Sequence, residues 1–168
     1  MTLRGHKLSV EDAKFKPLDK DILCSVGVDR KVLFWDLRTG ADPVSEISNA
    51  HSSDINTVDW SSLDLNLVAT GSNDTKVQVL DIRMRAVVQT LAKHKSKVQT
   101  VKFCPFSDQY LASSGDSLII WDLKADCTED ENIILNHIGH IGQVSDFDWN
   151  ADMPWSFISA SDDSETFN

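Results

Sequence analysis

Four of the five histidines set the frame of this chain. His6, His51, His94 and His140 stand 45, 43 and 46 residues apart, and the text behind each of them repeats. Four residues on comes a β-branched residue (Val10, Ile55, Val98, Val144). Nine on comes an aromatic (Phe15, Trp60, Phe103, Trp149), and nineteen on a hydroxyl (Ser25, Thr70, Ser113, Ser159). Twenty-three on come Asp29, Asp74 and Asp163, while the third repeat is one residue short and offers Asp116. The pairs Trp35-Asp36, Leu80-Asp81 and Trp121-Asp122 close the first three repeats, and the fourth breaks off before its pair would arrive. A unit that recurs in register at this length cannot bury its apolar face alone. It stacks on its neighbours, so the chain is an array and not a single-core globule.

Inside each unit the residues alternate as strands do. The runs 31–35, 76–80 and 117–121 are short and β-rich, 22–26, 67–70 and 110–113 precede them, and 44–47, 86–91 and 133–135 read as outer strands. Asp-rich turns such as Ser72-Asn73-Asp74 separate them. Four short strands in each ~44-residue unit make a propeller blade. The expected fold is therefore all-β: an incomplete WD40-type β-propeller with three full blades and part of a fourth. It forms one partial repeat domain over residues 1–168, with repeats at about 6–48, 51–91, 94–135 and 140–168. Such an arc leaves two open ends. The chain accordingly reads as a fragment, a truncated product or half of a paired assembly.

The repeated His, Ser/Thr and Asp look like a catalytic triad. A triad needs one exposed nucleophile beside one oxyanion site, whereas here the same three residue types recur in every repeat. The expected role is structural: His6, Ser25, Asp29 and Trp35; His51, Thr70 and Asp74; His94, Ser113, Asp116 and Trp121; His140, Ser159 and Asp163 satisfy one another inside the blades. No enzymatic activity, cofactor or metal is expected. His137 and His140 lack a third ligand at suitable spacing.

The net charge of −10 argues against direct nucleic-acid binding and suits basic protein partners. No apolar run is long enough to cross a bilayer, and Met1 to Gly5 has no signal-peptide character. Cys24, Cys104 and Cys127 are odd in number and far apart, as in a reducing compartment.

The stretch Gly5-His6 with Val10-Glu11-Asp12, and above all 140–163 with its Val144–Asn150 strand, Pro154-Trp155 insert and Ser161-Asp162-Asp163, resembles the histone-binding WD-repeat proteins, the retinoblastoma-binding and MSI-type subunits of chromatin complexes. Residues 24–27, Trp35-Asp36, 38–40 and 161–166 are similar to the plant FVE-like branch. The resemblance runs from His6 to about Thr166 and matches the later part of the family's propeller. It implies binding of core histones, association with subunits of histone deacetylase, Polycomb-type or chromatin assembly factor complexes, and a nuclear location, with the cytoplasm as a second compartment.

Two sites are implied by the resemblance. On the top face, Glu11, Asn56, Gln99, Ser145 and Asp162 are placed to meet a basic histone tail. Gln99 replaces a family aromatic there, and Lys97 stands where the family has an acid. A second site would grip a histone helix. Its acidic loop corresponds to residues 124–132, with Asp126, Glu129, Asp130 and Glu131 beside Ile133 and Ile134, but the family's N-terminal helix has no counterpart. A competing class of partner is an adaptor of cullin-type ubiquitin ligases. Trp35, Asp36 and Arg38 match the short WDxR pattern used by substrate receptors, and Leu80-Asp-Ile-Arg83 matches it loosely.

Overall fold

The computed structural model describes residues 1–125 and 132–162. Among these residues there is no helix, and the strands form four antiparallel sheets laid out in chain order. The first blade runs β1 (Val10–Phe15), β2 (Ile22–Gly27), β3 (Lys31–Asp36), β4 (Ser45–Ser48). The second runs β5 (Ile55–Trp60), β6 (Leu67–Ser72), β7 (Val77–Asp81), β8 (Ala86–Leu91). The third runs β9 (Thr100–Phe103), β10 (Tyr110–Ser114), β11 (Leu118–Asp122), β12 (Ile133–His137). The fourth is described as β13 (Val144–Trp149) paired with β14 (Phe157–Ser161). This is the incomplete propeller that the repeat spacing predicts. Each sheet is a meander in which sequential strands pair, as short connections and period-two patterning favour.

The core lies between blades and not within them. At each of the three described junctions the back face of one blade meets the front face of the next. Cys24, Val26, Val32, Phe34 and Ile47 on the back of the first blade pack on Ile55, Val58, Trp60, Val68 and Leu80 on the front of the second. The next junction sets Ala69, Val77, Val79 and Leu91 against Val98, Val101, Phe103, Leu111 and Trp121. The third sets Cys104, Ala112, Leu118 and Ile120 against Phe147 and Trp149. Close approach is built in at Gly71, where an added Cβ would lie 2.5 Å from Val98. Each buried aliphatic side chain contributes roughly 1.5–3 kcal/mol, so the blades hold one another up.

Candidate functional site

In the first blade the His6 ring joins Asp29 through Nδ1 at 2.9 Å and Ser25 Oγ through Nε2 at 2.8 Å, and the Trp35 indole N–H donates to the same Oγ at 2.8 Å. The third blade repeats this with His94–Asp116 at 3.1 Å, His94–Ser113 at 2.7 Å and Trp121 donating to Ser113 at 2.8 Å. The second has His51–Asp74 at 3.1 Å and His51–Thr70 at 2.9 Å, with Leu80 in place of the tryptophan. In the fourth, His140 reaches Ser159 at 2.9 Å, and Asp163 lies outside the described residues. Each aspartate also accepts the backbone N–H that follows the histidine or stands beside it: Lys7, Ser52 or Lys95.

The electrostatics fit neutral imidazoles against ionised carboxylates. Desolvation holds His51 and His94 below the usual histidine pKa, outweighing the nearby aspartates. Desolvation pushes Asp29, Asp74 and Asp116 upward, but backbone N–H donors and the histidine hydrogen bonds outweigh it, and all three end below the usual carboxylate range. The consistent proton assignment is Nδ1–H donating to carboxylate and Nε2 accepting from the hydroxyl. Every hydroxyl is then engaged, and those of Thr70 and Ser113 are fully buried. The arrangement uses each hydroxyl as a hydrogen-bond partner that ties its strand to the loop carrying the histidine. His137 and His140 stand edge to face with ring centroids 5.5 Å apart.

Glu11, Asn56 and Ser145 lie on the first strand of their blades at a local irregularity, while Gln99 stands just before β9 and Asp162 just after β14. The pairing registers of β1–β2, β5–β6 and β13–β14 shift between Val10 and Asp12, Ile55 and Thr57, and Val144 and Asp146. The extra residues are Glu11, Asn56 and Ser145. A bulge re-aims the side chain it carries, which is why these three leave the alternation of their strands. Asn56, Gln99 and Ser145 come together along one polar cavity of about 330 Å³, with Asp12, Lys14, Thr57, Thr100, Lys102 and Asp146. Glu11 and Asp162 are exposed but do not line it. Asn56 is partly committed, donating to Asn73 Oδ1 at 2.9 Å and to the Val98 carbonyl at 2.8 Å. Gln99 donates to Gln143 at 3.2 Å, and Ser145 Oγ to the Ala160 carbonyl at 3.3 Å. Lys97 is exposed.

A lower tier was not singled out from the sequence. Eight residues after each anchor histidine stand Lys14, Asp59, Lys102 and Asp148, alternating in sign. Lys102 Nζ is 3.1 Å from Asp148, and Asp59, flanked by Lys14 and Lys102, accepts the Phe103 amide at 2.8 Å. Two positions before Lys14, Asp12 accepts the Val58 amide at 3.0 Å. Burial pushes Asp59 up to about 6, against the lowering pull of that amide and the lysines. The same histidine count that found the aromatics would have found this row.

The Trp35, Asp36, Arg38 group is placed apart, on a strand end. Trp35 is buried and bonded to Ser25, while the Arg38 guanidinium folds back on Asp36 at 2.7 and 2.8 Å. Arg83 does the same on Asp81. Asp126, Glu129, Asp130 and Glu131 of the acidic loop lie outside the described residues, and Ile134, which follows them, is half-exposed.

Comparison with known proteins accords with this geometry. Residues 1–36, 42–81 and 85–122 match the family described as WD domain, G-beta repeat. The chain is 37% identical over 96% of its length to the WD-40 repeat-containing protein MSI4 of Arabidopsis thaliana, covering 35% of that protein. It is 30% identical over 94% of its length to the histone acetyltransferase type B subunit 2 of Debaryomyces hansenii, covering 43% of it. It is 26% identical over 97% of its length to the histone-binding protein MSI1 of Saccharomyces cerevisiae, covering 38% of it. The chain thus spans well under half the length of these relatives. Three matched repeats, each ending on the third strand of a blade, make it a member of the WD-repeat family, similar to that family's histone-binding proteins.

Proposed function

We propose that the chain is part of a non-enzymatic scaffold that binds core histones in the nucleus, within complexes that modify or assemble chromatin. The observation that carries this reading is the bulged inner strand. It turns Glu11, Asn56 and Ser145 out of their sheets, and Asn56 and Ser145 share a cavity with the carboxylates of Asp12 and Asp146 and the lysines Lys14 and Lys102. Carboxylates and amides in that position pair with Lys and Arg by charge-assisted hydrogen bonds. The printed names of the relatives, a histone-binding protein and a histone acetyltransferase subunit, support the same partner class. Histone deacetylase, Polycomb-type and chromatin assembly factor complexes are the candidate hosts. The ligase-adaptor reading is weaker, because the Arg38 guanidinium is already paired with Asp36 and Trp35 is inside the blade.

The test is a titration of a basic histone-tail peptide into the parent propeller at low and high salt. Affinity should fall with salt, since exposed charges are screened over ~8–10 Å, and Glu11→Gln should weaken binding by about 1–2 kcal/mol. Replacing Lys97 by Glu should strengthen it. Affinity indifferent to both salt and Glu11→Gln would remove the top face as the site.

A further inference from the structure

At the end of the strands opposite the bulges, the first two blades leave a groove of about 320 Å³ between them. Ile22, Phe34 and Val44 of the first blade and Trp60 and Ile82 of the second form its apolar walls. Phe34 and Trp60 are buried and stand edge to face 6.0 Å apart, whereas Val44 is 50% exposed. Both blades are complete four-stranded sheets, and the groove lies at the junction they share, away from the ends of the arc.

The third junction shows what such a groove holds. Tyr110 and Ile22 stand at the same place, sixteen after their histidines, as Trp149 and Trp60 do nine after theirs. At the third junction, Trp155 from the β13–β14 connection lies against Tyr110 with ring centroids 4.9 Å apart and meets Phe106 at 5.8 Å. Phe106 in turn lies edge-on to Trp149 at 5.9 Å. At the first junction Leu18, the counterpart of Phe106, is 96% exposed. The corresponding β5–β6 connection, residues 61–66, contains no aromatic residue. The place that one junction fills with its own aromatic side chains is therefore open at the other.

Charge sets the first groove apart as well. Lys16 and Arg85 line it, and no described carboxylate does. Neither takes part in an ion pair among the described residues, and Lys16 Nζ lies 5.7 Å from the centre of the Trp60 ring. The counterparts of Lys16 in the other repeats are Ser61, Cys104 and Asn150, so the cation at that place is particular to the first blade. In a chain of net charge −10, a groove lined by two cations is the exception. We infer that this groove docks a linear acidic segment of a partner protein, with an aromatic side chain entering between the blades and its flanking carboxylates meeting Lys16 and Arg85. A buried aromatic anchor supplies affinity, and complementary charge around it supplies selectivity. The groove repels a basic tail of the kind proposed for the opposite face, so the two sites take partners of opposite charge.

The test titrates the chain into a fluorescein-labelled peptide, Glu-Asp-Trp-Asp-Glu, and follows polarisation. Saturable binding is expected. Replacing the peptide's tryptophan by alanine should abolish it, and so should Val44→Trp, which fills the groove from within. Neither Lys16 nor Arg85 is buried, so the double variant Lys16→Glu, Arg85→Glu leaves the core intact. It should weaken binding about tenfold, as the loss of two exposed ion pairs allows. It should also bind the charge-reversed peptide Lys-Arg-Trp-Arg-Lys, which the unmodified chain should refuse. No binding of the acidic peptide, or equal binding of the alanine or charge-reversed peptide by the unmodified chain, overturns the inference. Binding unchanged in either variant overturns it equally, as does a double variant that takes neither peptide.

Discussion

The second and third blades solve the same problem with different side chains. In the third, Ser113 is held between the His94 imidazole and the Trp121 indole N–H, and the two rings stand edge to face 6.3 Å apart. In the second, Thr70 keeps the histidine, but its other neighbour is the fully buried Leu80, and its hydroxyl makes only a 3.5 Å approach to the Gln78 carbonyl. The tryptophan that gives this repeat its two-letter signature is therefore the dispensable member. The histidine, hydroxyl and aspartate persist because each would leave a buried polar partner unsatisfied if lost. The tryptophan can be exchanged for an aliphatic side chain where the junction supplies the packing, as the cluster that Leu80 shares with Cys24, Val26 and Phe34 of the first blade does.

The largest expected effect tests that exchange in both directions. Trp121→Leu would make the third blade resemble the second. It should cost about 2–4 kcal/mol, from the volume lost in a fully packed cluster and the indole hydrogen bond lost to Ser113. Leu80→Trp would make the second resemble the third, yet it should also destabilise, by about 1–3 kcal/mol, because Leu80 is completely enclosed and an indole overfills its site. Denaturant midpoints of the two variants measure both effects. A stabilised Leu80→Trp chain would mean that the second blade has room for the signature residue, and the comparison would lose its packing explanation.

A smaller effect separates the buried carboxylate of the lower tier from the paired carboxylates of the upper one. Asp59 is pushed up to about 6, above its unfolded value near 4. Its contribution is therefore fully present below pH ~4 and is lost as pH rises through about 6, so ionisation costs stability at neutral pH. The linkage is worth on the order of 2 kcal/mol. His51 and His94, held below 6.5, act in the opposite sense: their contribution is present above that value and lost as pH falls. The difference between the parent chain and Asp59→Asn isolates the carboxylate, since the amide oxygen still accepts the Phe103 N–H. Asp59→Asn should be the more stable chain at pH 7, with the gap narrowing as pH falls and closed by pH ~4. Parallel stability profiles for the two chains would show that Asp59 titrates as an ordinary carboxylate.

What could be read from the sequence follows from how the chain stores its information. The blade order, the strands and the His–hydroxyl–Asp ties were legible because each occurs several times at one spacing, and repetition distinguishes a signal from chance. The bulges at Glu11, Asn56 and Ser145 were not, because their trace is one three-residue step, from four to seven after the histidine, within an otherwise two-residue period. Nor were the commitments of Asn56 to Asn73, in the β6–β7 turn of its own blade, and to the Val98 carbonyl of the next. The alternating row Lys14, Asp59, Lys102, Asp148 was in register and countable. Its members differ in sign, so it does not show as a repeated residue type.

The smallest expected effect belongs to the strand-end turns of the first two blades. Arg38 pairs with Asp36 and Arg83 with Asp81 in the same geometry, two residues apart, with both guanidinium groups largely in solvent. The hydrogen bonds from Arg38 and from Arg83 draw the two aspartates below the usual carboxylate range, Asp81 to about 2. Exposed pairs of this kind add little to stability, because solvent screens them and holding a long side chain in place costs entropy. Arg38→Ala and Arg83→Ala should therefore leave the denaturant midpoint unchanged, alone and together. The two turns differ within the chain in the residue before the aspartate, Trp35 in the first blade and Leu80 in the second. A ligase adaptor that pulls down the parent chain but not Arg38→Ala, with Arg83→Ala unaffected and all three equally stable, would give the Trp35-Asp36-Arg38 group a role in binding. Equal recovery with all three would leave both arginines as the ends of well-formed turns.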